Sequence, residues 1–355
     1  MALSFRKTAR GVVGLDLDGA FLAAVELSGG KLVRAVSTDL APGLVAEGEV
    51  VDLAGLTAAL QVFWKAHGLP RRVRLGVANQ QIVVRELELP RIEDPREQEA
   101  AVRFQAAEAI AMPLEEAVLD YQEIGESVNA EGAARTRFVV VAARAAMIDR
   151  IVEAVRGAGL RPEGIDLNAF ALIRALAPPS GDFGADQSAR VYCHLGGVTN
   201  LAVALGSTCL FTRPLSAGAT DPFAEDAPPS GPPPAAASAP VEYFSPASPA
   251  REAREPGPSV DARVQPVAAS ARRLAEEIRL SIDFYRSQPE ARWVGDIVLS
   301  GPGSTRPDLA AELSASLGVP VAVGDPLGGL APIALPEGED PFRYTVAAGL
   351  ALGAA

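Results

Sequence analysis

Histidine is nearly absent from this chain: His67 and His194 are the only two in 355 residues, and Cys193 and Cys209 are the only cysteines. Neither histidine stands at a metal-ligand spacing from a second ligand, so no zinc or iron centre is expected. The cysteines sit singly in apolar runs without a CxxC pair and read as small core residues in a reducing compartment. Positive charge is also short, with 32 Lys and Arg against 44 Asp and Glu and a formal net charge of −12. Nucleic acid and anionic leaflets both need a basic footprint, so neither is an expected direct partner. No run approaches the ~18 uncharged apolar residues of a membrane-spanning helix. The opening MALSFRKTARG has basic residues but neither an apolar core nor a cleavage motif, and does not read as a signal peptide. The expected location is therefore cytoplasmic, with the membrane reached only through a partner.

What is present is a chain with 48% hydrophobic residues, enough to fill the cores of two or three lobes. Apolar runs at Val12–Leu17, Phe21–Leu27 and Leu32–Leu40 are separated by Asp18-Gly19 and Gly29-Gly30, which predicts hairpins. Leu56, Leu60 and Phe63 share a helical face and predict a helix over Leu53–Ala66, followed by a strand at Arg72–Ala78. The next stretch reads as strand Ile82–Leu89, helix Glu97–Ile110 with Val102, Phe104 and Ile110 among charges, strands Val118–Ile124 and Phe138–Ala142, and helix Met147–Ala158. It forms an α+β unit inserted into a larger domain. A helix at Leu167–Ala177 precedes a Pro/Gly-rich linker, Pro178–Asp186. Strands at Val191–Leu195, Leu201–Leu205 and Cys209–Pro214 then echo the start of the chain.

Pro222–Pro266 contains DAPPSGPPPAAASAP and is too poor in apolar residues to offset the entropy of ordering, so it reads as a disordered loop. Val241, Tyr243 and Phe244 are an apolar island within it. Order is expected again in a long amphipathic helix, Val267–Ser287, a strand, Ile297–Ser300, running into SGPGS, a helix, Asp308–Leu317, and a strand, Val319–Val323. The Ala/Gly-rich segment Tyr344–Leu352 is a closing helix suited to close packing on a sheet.

Two lobes that each begin strand, Gly-bearing turn, strand, with a Gly-rich turn before a late helix, suit the binding of a phosphate tail. Backbone N–H groups in such turns approach oxyanions without an intervening side chain. The stretches GLDLDGAFLAAVEL (14–27), LVAEGEVVDL (44–53) and VVRELELPRIEDPREQEAAVRFQAAEAIAMPLEEAVLDYQEIG (83–125) resemble the PilM family of type IV pilus assembly proteins. HLGGVTNLAV (194–203), FTRPLSAGA (211–219), LAEEIRLSIDFYRSQP (274–289), LSGPGS (299–304) and VAAGLAL (346–352) follow in the family's order.

The resemblance implies an α/β chain with an actin-like (ribonuclease H-like) two-lobed fold and a small inserted α+β subdomain. The implied layout is a first lobe at 1–80, the insert at 81–162, a closing helix of the first lobe at 163–180, and a second lobe at 187–221 and 296–355. Residues 222–266 are the disordered loop, and 267–295 a long helix with a reduced remnant of the adenine-side subdomain. The implied function is a cytoplasmic scaffold of the pilus inner-membrane platform. Its implied partners are the tail of a PilN-like membrane protein and other platform proteins, and self-association is left open. Val83, Arg85 and Leu87 are the candidate wall of the tail groove.

Nucleotide-contacting positions implied by the resemblance are Asp16, Asp18, Gly19, Gly196, Gly197, Thr199, Asn200, Gly301, Gly303 and Ser304. Their pattern departs from the family's. Asp18 stands where a glycine is usual, Ala23 where a lysine is usual, His194 where an aspartate is usual, and Pro302 interrupts paired glycines. An added carboxylate repels a triphosphate by ~1 kcal/mol per charge pair in water and more in a dry cleft. The site therefore reads as degenerate: no catalytic residue is assigned, and ATP with Mg²⁺ beside Asp16 is the one cofactor to weigh. The alternatives are an active ATP-binding and ATP-hydrolysing protein of this fold, or a related scaffold of cell division or type II secretion. The uncharged VAAGLALGAA at the end argues against the membrane-targeting helix of the division protein.

Overall fold

In the computed structural model, residues 11–129, 132–177, 188–215, 264–288, 291–330, 335 and 338–353 are described. The chain opens with β1 (Val13–Leu17), β2 (Phe21–Ser28) and β3 (Lys31–Asp39), antiparallel neighbours joined by short turns. A two-residue ribbon, β4 (Val45–Ala46) and β5 (Glu49–Val50), leads to α1 (Leu53–His67). Asp52 caps α1 by accepting the Gly55 amide at 2.9 Å, and Gly68 ends it in the left-handed region. β6 (Arg72–Val77) then lies parallel to β1.

The inserted module is β7 (Ile82–Pro90), α2 (Pro95–Ala109), β8 (Ala117–Val128) and β9 (Ala134–Arg144), with strand order β7–β9–β8. Leu87, Leu89, Val102, Ala106, Ile110 and Phe138 form its core. Val102, Ala106 and Ile110 repeat every four residues on the buried face of α2. Phe104, which the sequence groups with them, points the other way and is 69% exposed. Asp94 caps α2, accepting the Arg96 and Glu97 amides at 2.8 and 3.2 Å with Pro95 in the first turn. Asp94→Ala is expected to cost about 1 kcal/mol, read as faster hydrogen exchange confined to the first turn of α2 and its neighbours.

The module ends earlier than the sequence suggests. α3 (Ala145–Gly157) packs on α1 and places Met147, Ile148, Ile151, Ala154 and Val155 in the core of the first lobe, so it is not part of the insert. β10 (Arg161–Leu167), which the sequence reading missed, closes the first sheet in the order β10–β6–β1–β2–β3. Its Pro162 and Gly164 mask the strand pattern, and the register shifts between them, as an edge position permits.

After α4 (Asn168–Leu176), the second half repeats this plan with β11 (Ala189–His194), β12 (Thr199–Leu205), β13 (Thr208–Leu215), α5 (Val264–Arg286), β14 (Val294–Ser300), α6 (Leu309–Leu317) and β15 (Val321–Val323). Its order is β15–β14–β11–β12–β13, with β14 parallel to β11 and β15 parallel to β14. Each sheet thus has a central strand with a hairpin on one side and parallel strands on the other. α5 begins at Val264, three residues inside the segment expected to be disordered. The rest of that segment, its Val241, Tyr243 and Phe244, and the Pro178–Asp186 linker lie outside the described residues. Cys193 and Cys209 are free and buried, and burial pushes both thiols up to about 12.

Two helices cross where the lobes meet. α4, expected to close the first lobe, touches β6 and β10 of the first sheet and also reaches β11, β12 and β13 of the second, while α7 (Thr345–Leu352), expected in the second lobe, lies on β1, β2 and β6 of the first. They cross through Ala171, Leu172, Val346 and Leu350, all fully buried. Small residues permit the approach: a Cβ on Gly349 would stand 1.9 Å from the Ala171 carbonyl oxygen, and one on Gly14 2.0 Å from that of Ala347. Arg174 of α4 donates to the Gly349 carbonyl at 3.0 Å and pairs with Asp166 of β10, tying the crossing to the first sheet.

Candidate functional site

The carboxyl ends of β1, β11 and β14 meet in the cleft between the sheets, where ligands of parallel α/β sheets are ordinarily held. Asp16 lies in β1 and Asp18 in the turn to β2, where Gly19 takes a φ of 108° and the Asp18 amide donates to the Phe21 carbonyl at 3.1 Å. Across the cleft, Gly196 and Gly197 form the turn from β11 to β12. The Gly197 amide donates to both oxygens of the Asp18 carboxylate, each at 2.8 Å. This contact joins residues 179 positions apart.

The packing around that bond leaves no spare room. A Cβ on Gly196 would lie 2.2 Å from Asp18 Oδ2, and one on Gly197 2.8 Å from Oδ1. Asp18 is 7% exposed and Asp16 1%. Burial raises Asp18 to about 6, against the pull of the Gly197 and Ala20 amides and of the Arg343 charge. Burial first and the Asp18 charge second raise Asp16 well above the usual carboxylate range. Asp16 makes no well-formed side-chain hydrogen bond among the described residues. Burial and the neighbouring charge thus both disfavour ionising Asp16 beside an ionised Asp18.

His194, at the end of β11, is 2% exposed. Its Nδ1 lies 3.1 Å from Ser300 Oγ, and its Nε2 is buried without a partner among the described residues. Burial lowers its pKa to about 4, so the ring is neutral. Thr199 and Asn200 are buried at the start of β12, where the Asn200 side chain accepts from Thr212 Oγ1 at 3.2 Å. The Gly301 turn folds back on Leu195: the Gly303 amide donates to the Leu195 carbonyl at 3.0 Å and the Ser304 amide to that of Gly301 at 3.0 Å. Gly301 needs its freedom, with a φ of 82° and a would-be Cβ 2.5 Å from the Leu195 oxygen.

Of the ten positions implied for a nucleotide, the structure brings Asp18 against Gly196 and Gly197, and the amides of Gly197, Gly303 and Ser304 are engaged inside the protein. The space beside Leu17, Gly76, Asn168 and Val198 is lined by Asp18 alone of those ten positions. The residues present do not fit Mg²⁺ and ATP in this arrangement. No cluster of three or more His, Cys, Asp or Glu suited to a metal occurs among the described residues.

Sequence reasoning missed Asn168 and Arg343. Arg343 stacks over Phe21 at 4.6 Å, pairs with Asp39 and supplies positive potential near Asp18. Neither carries a local motif; both reach the cleft by way of α4 and the turn before α7. Of the candidate groove wall, Leu87 is buried in the module core and Val83 packs against it, so only Arg85 faces solvent, its guanidinium bonded to the Val84 carbonyl at 2.9 Å. Ile82 and Val84 pack instead against the first-lobe core. The two-residue period of the strand sets this division.

The sequence profile of the family described as type IV pilus assembly protein PilM matches residues 14–220, more than half of the chain. Among solved structures, a PilM–PilN type IV pilus biogenesis complex is similar with a TM-score of 0.71 and 23% identity, over 97% of this chain and 98% of that one. EutJ, an ethanolamine utilization protein from Carboxydothermus hydrogenoformans, scores 0.46 at 15% identity over 96% and 89% of the two chains. MreB5 of Spiroplasma citri bound to ADP scores 0.47 at 10% identity over 97% and 96%. The fold is the actin-like two-lobed fold, and the chain belongs to the type IV pilus assembly protein PilM family.

Proposed function

We propose that this protein is a scaffold of the type IV pilus inner-membrane platform that grips the cytoplasmic tail of a PilN-like membrane protein and turns over no nucleotide. The observation that carries this reading is the family match across residues 14–220, which takes in the first lobe, the whole inserted module and the β11–β13 hairpins. A related solved structure is of PilM together with PilN, which supports the choice of partner. No described helix is long and apolar enough to cross a membrane, in keeping with a protein held at the inner face of the membrane through its partner. The engaged amides of Gly197, Gly303 and Ser304 support a binding role over phosphoryl chemistry, which needs such donors directed at the substrate.

The groove belongs between the first lobe and the module, with Arg85 as its exposed polar contact. Titration calorimetry with a synthetic peptide of the PilN-like tail from the same organism is expected to give a micromolar Kd, about −8 kcal/mol. Absence of heat at high peptide concentration, with no competition against the intact partner, would remove the tail from this assignment.

A further inference from the structure

We propose that Asp18 is a resident phosphate surrogate: its carboxylate occupies the oxyanion position of the Gly196–Gly197 turn and ties the two lobes together, so that the cleft closes without nucleotide. A carboxylate presents two anionic oxygens to a backbone N–H much as a phosphate does. Both oxygens of Asp18 stand 2.8 Å from the Gly197 nitrogen. An aspartate followed by glycine ordinarily bonds its own turn. Here the partner belongs to the other sheet, 179 residues away.

Three features show the contact to be built rather than incidental. Gly19, at a φ of 108°, allows the tight turn after Asp18. Gly196 and Gly197 leave the carboxylate the space that any Cβ would take, at 2.2 and 2.8 Å. The Gly301 turn, which could offer further amides to an anion, has turned them onto Leu195 and itself. An incoming phosphate would have to displace Asp18 from the Gly197 amide and then sit beside its charge. The consequence is a scaffold whose interlobe geometry is fixed by its own sequence instead of being set by nucleotide. This inference is independent of the PilN assignment.

The test uses the full chain as wild type, Asp18→Gly and Asp18→Asn. Thermal unfolding is followed with and without millimolar Mg·ATP, and separately with inorganic phosphate alone, while hydrogen exchange reports on the Gly197 amide. The wild-type Tm is expected to stay unmoved by either ligand. Asp18→Gly is expected to gain a Tm rise with phosphate and to exchange the Gly197 amide about tenfold faster or more. Asp18→Asn keeps the side-chain volume and one acceptor oxygen, and is expected to exchange at an intermediate rate even if the glycine variant does not fold. A wild-type Tm raised by Mg·ATP overturns the proposal. So does a folded Asp18→Gly that ignores phosphate, or Gly197 exchange unchanged in the variants.

Discussion

Gly349→Ala is expected to destabilise the protein by at least about 3 kcal/mol, the upper range for overpacking a core, although alanine is the better helix former by about 1 kcal/mol. The new methyl would stand 1.9 Å from the Ala171 oxygen and 2.5 Å from its carbonyl carbon, both backbone atoms of α4. A side chain could rotate away; a helix backbone cannot without carrying its neighbours. α4 is fixed by Leu172 and Ile173 in the core and by Arg174 on Asp166, and α7 is buried from Thr345 to Ala351. The strain therefore enters the crossing of the two helices that link the lobes, and it falls on both sheets together. Gly157→Ala is the control. Its Cβ would meet only the Thr57 side chain, at 3.1 Å or more, and the change is expected to be within about 0.5 kcal/mol of neutral, as for most surface sites. Urea midpoints of the two variants decide the matter, and equal midpoints would mean that α4 and α7 are not in rigid contact.

That crossing also marks the limit of what the sequence makes legible. The apolar spacing of Leu56, Leu60 and Phe63 locates α1, and the turns at Asp18-Gly19 and Gly29-Gly30 locate the first hairpins, because these signals are local. The helical patterns of α3, α4 and α7 are equally local, but an apolar face says only that something covers it, not which sheet. Hence the sequence assigns α3 to the insert and α7 to the second lobe, and gives no sign that α4 packs on both sheets. β10 failed for a different reason: Pro162, Gly164 and three charged residues conceal an edge strand whose pairing with β6 supplies the missing information. The cleft is legible in the same partial way. The sequence shows Asp18 as a charge out of place, yet its bond to Gly197 depends on two turns that only the folded sheets bring together. Arg343 near Asp18 depends on the return of the chain to the first lobe.

His194 gives the second large effect, visible through pH. In the unfolded chain its imidazole takes up a proton near 6.5, whereas burial holds the folded ring neutral down to about 4. Between those values the unfolded state binds the extra proton, so the folded state loses stability as pH falls from 6.5 and has lost about 3 kcal/mol once pH reaches 4. Asp18 acts with the opposite sign. Its folded value, raised from 3.8 to about 6, means that acidification through 6 removes a cost of burying charge, and raised Asp16 works in the same direction. In the wild type these contributions oppose one another over the same interval and flatten the profile. His194→Asn leaves a polar atom near the place of Nδ1, within reach of Ser300, but nothing that titrates. The variant is expected to gain on the wild type by about 3 kcal/mol between pH 7 and pH 4, measured as the difference in urea unfolding free energy at matched pH. A difference that stays constant with pH would mean that the folded ring accepts a proton as readily as the unfolded one, and that the floor of the cleft is wet.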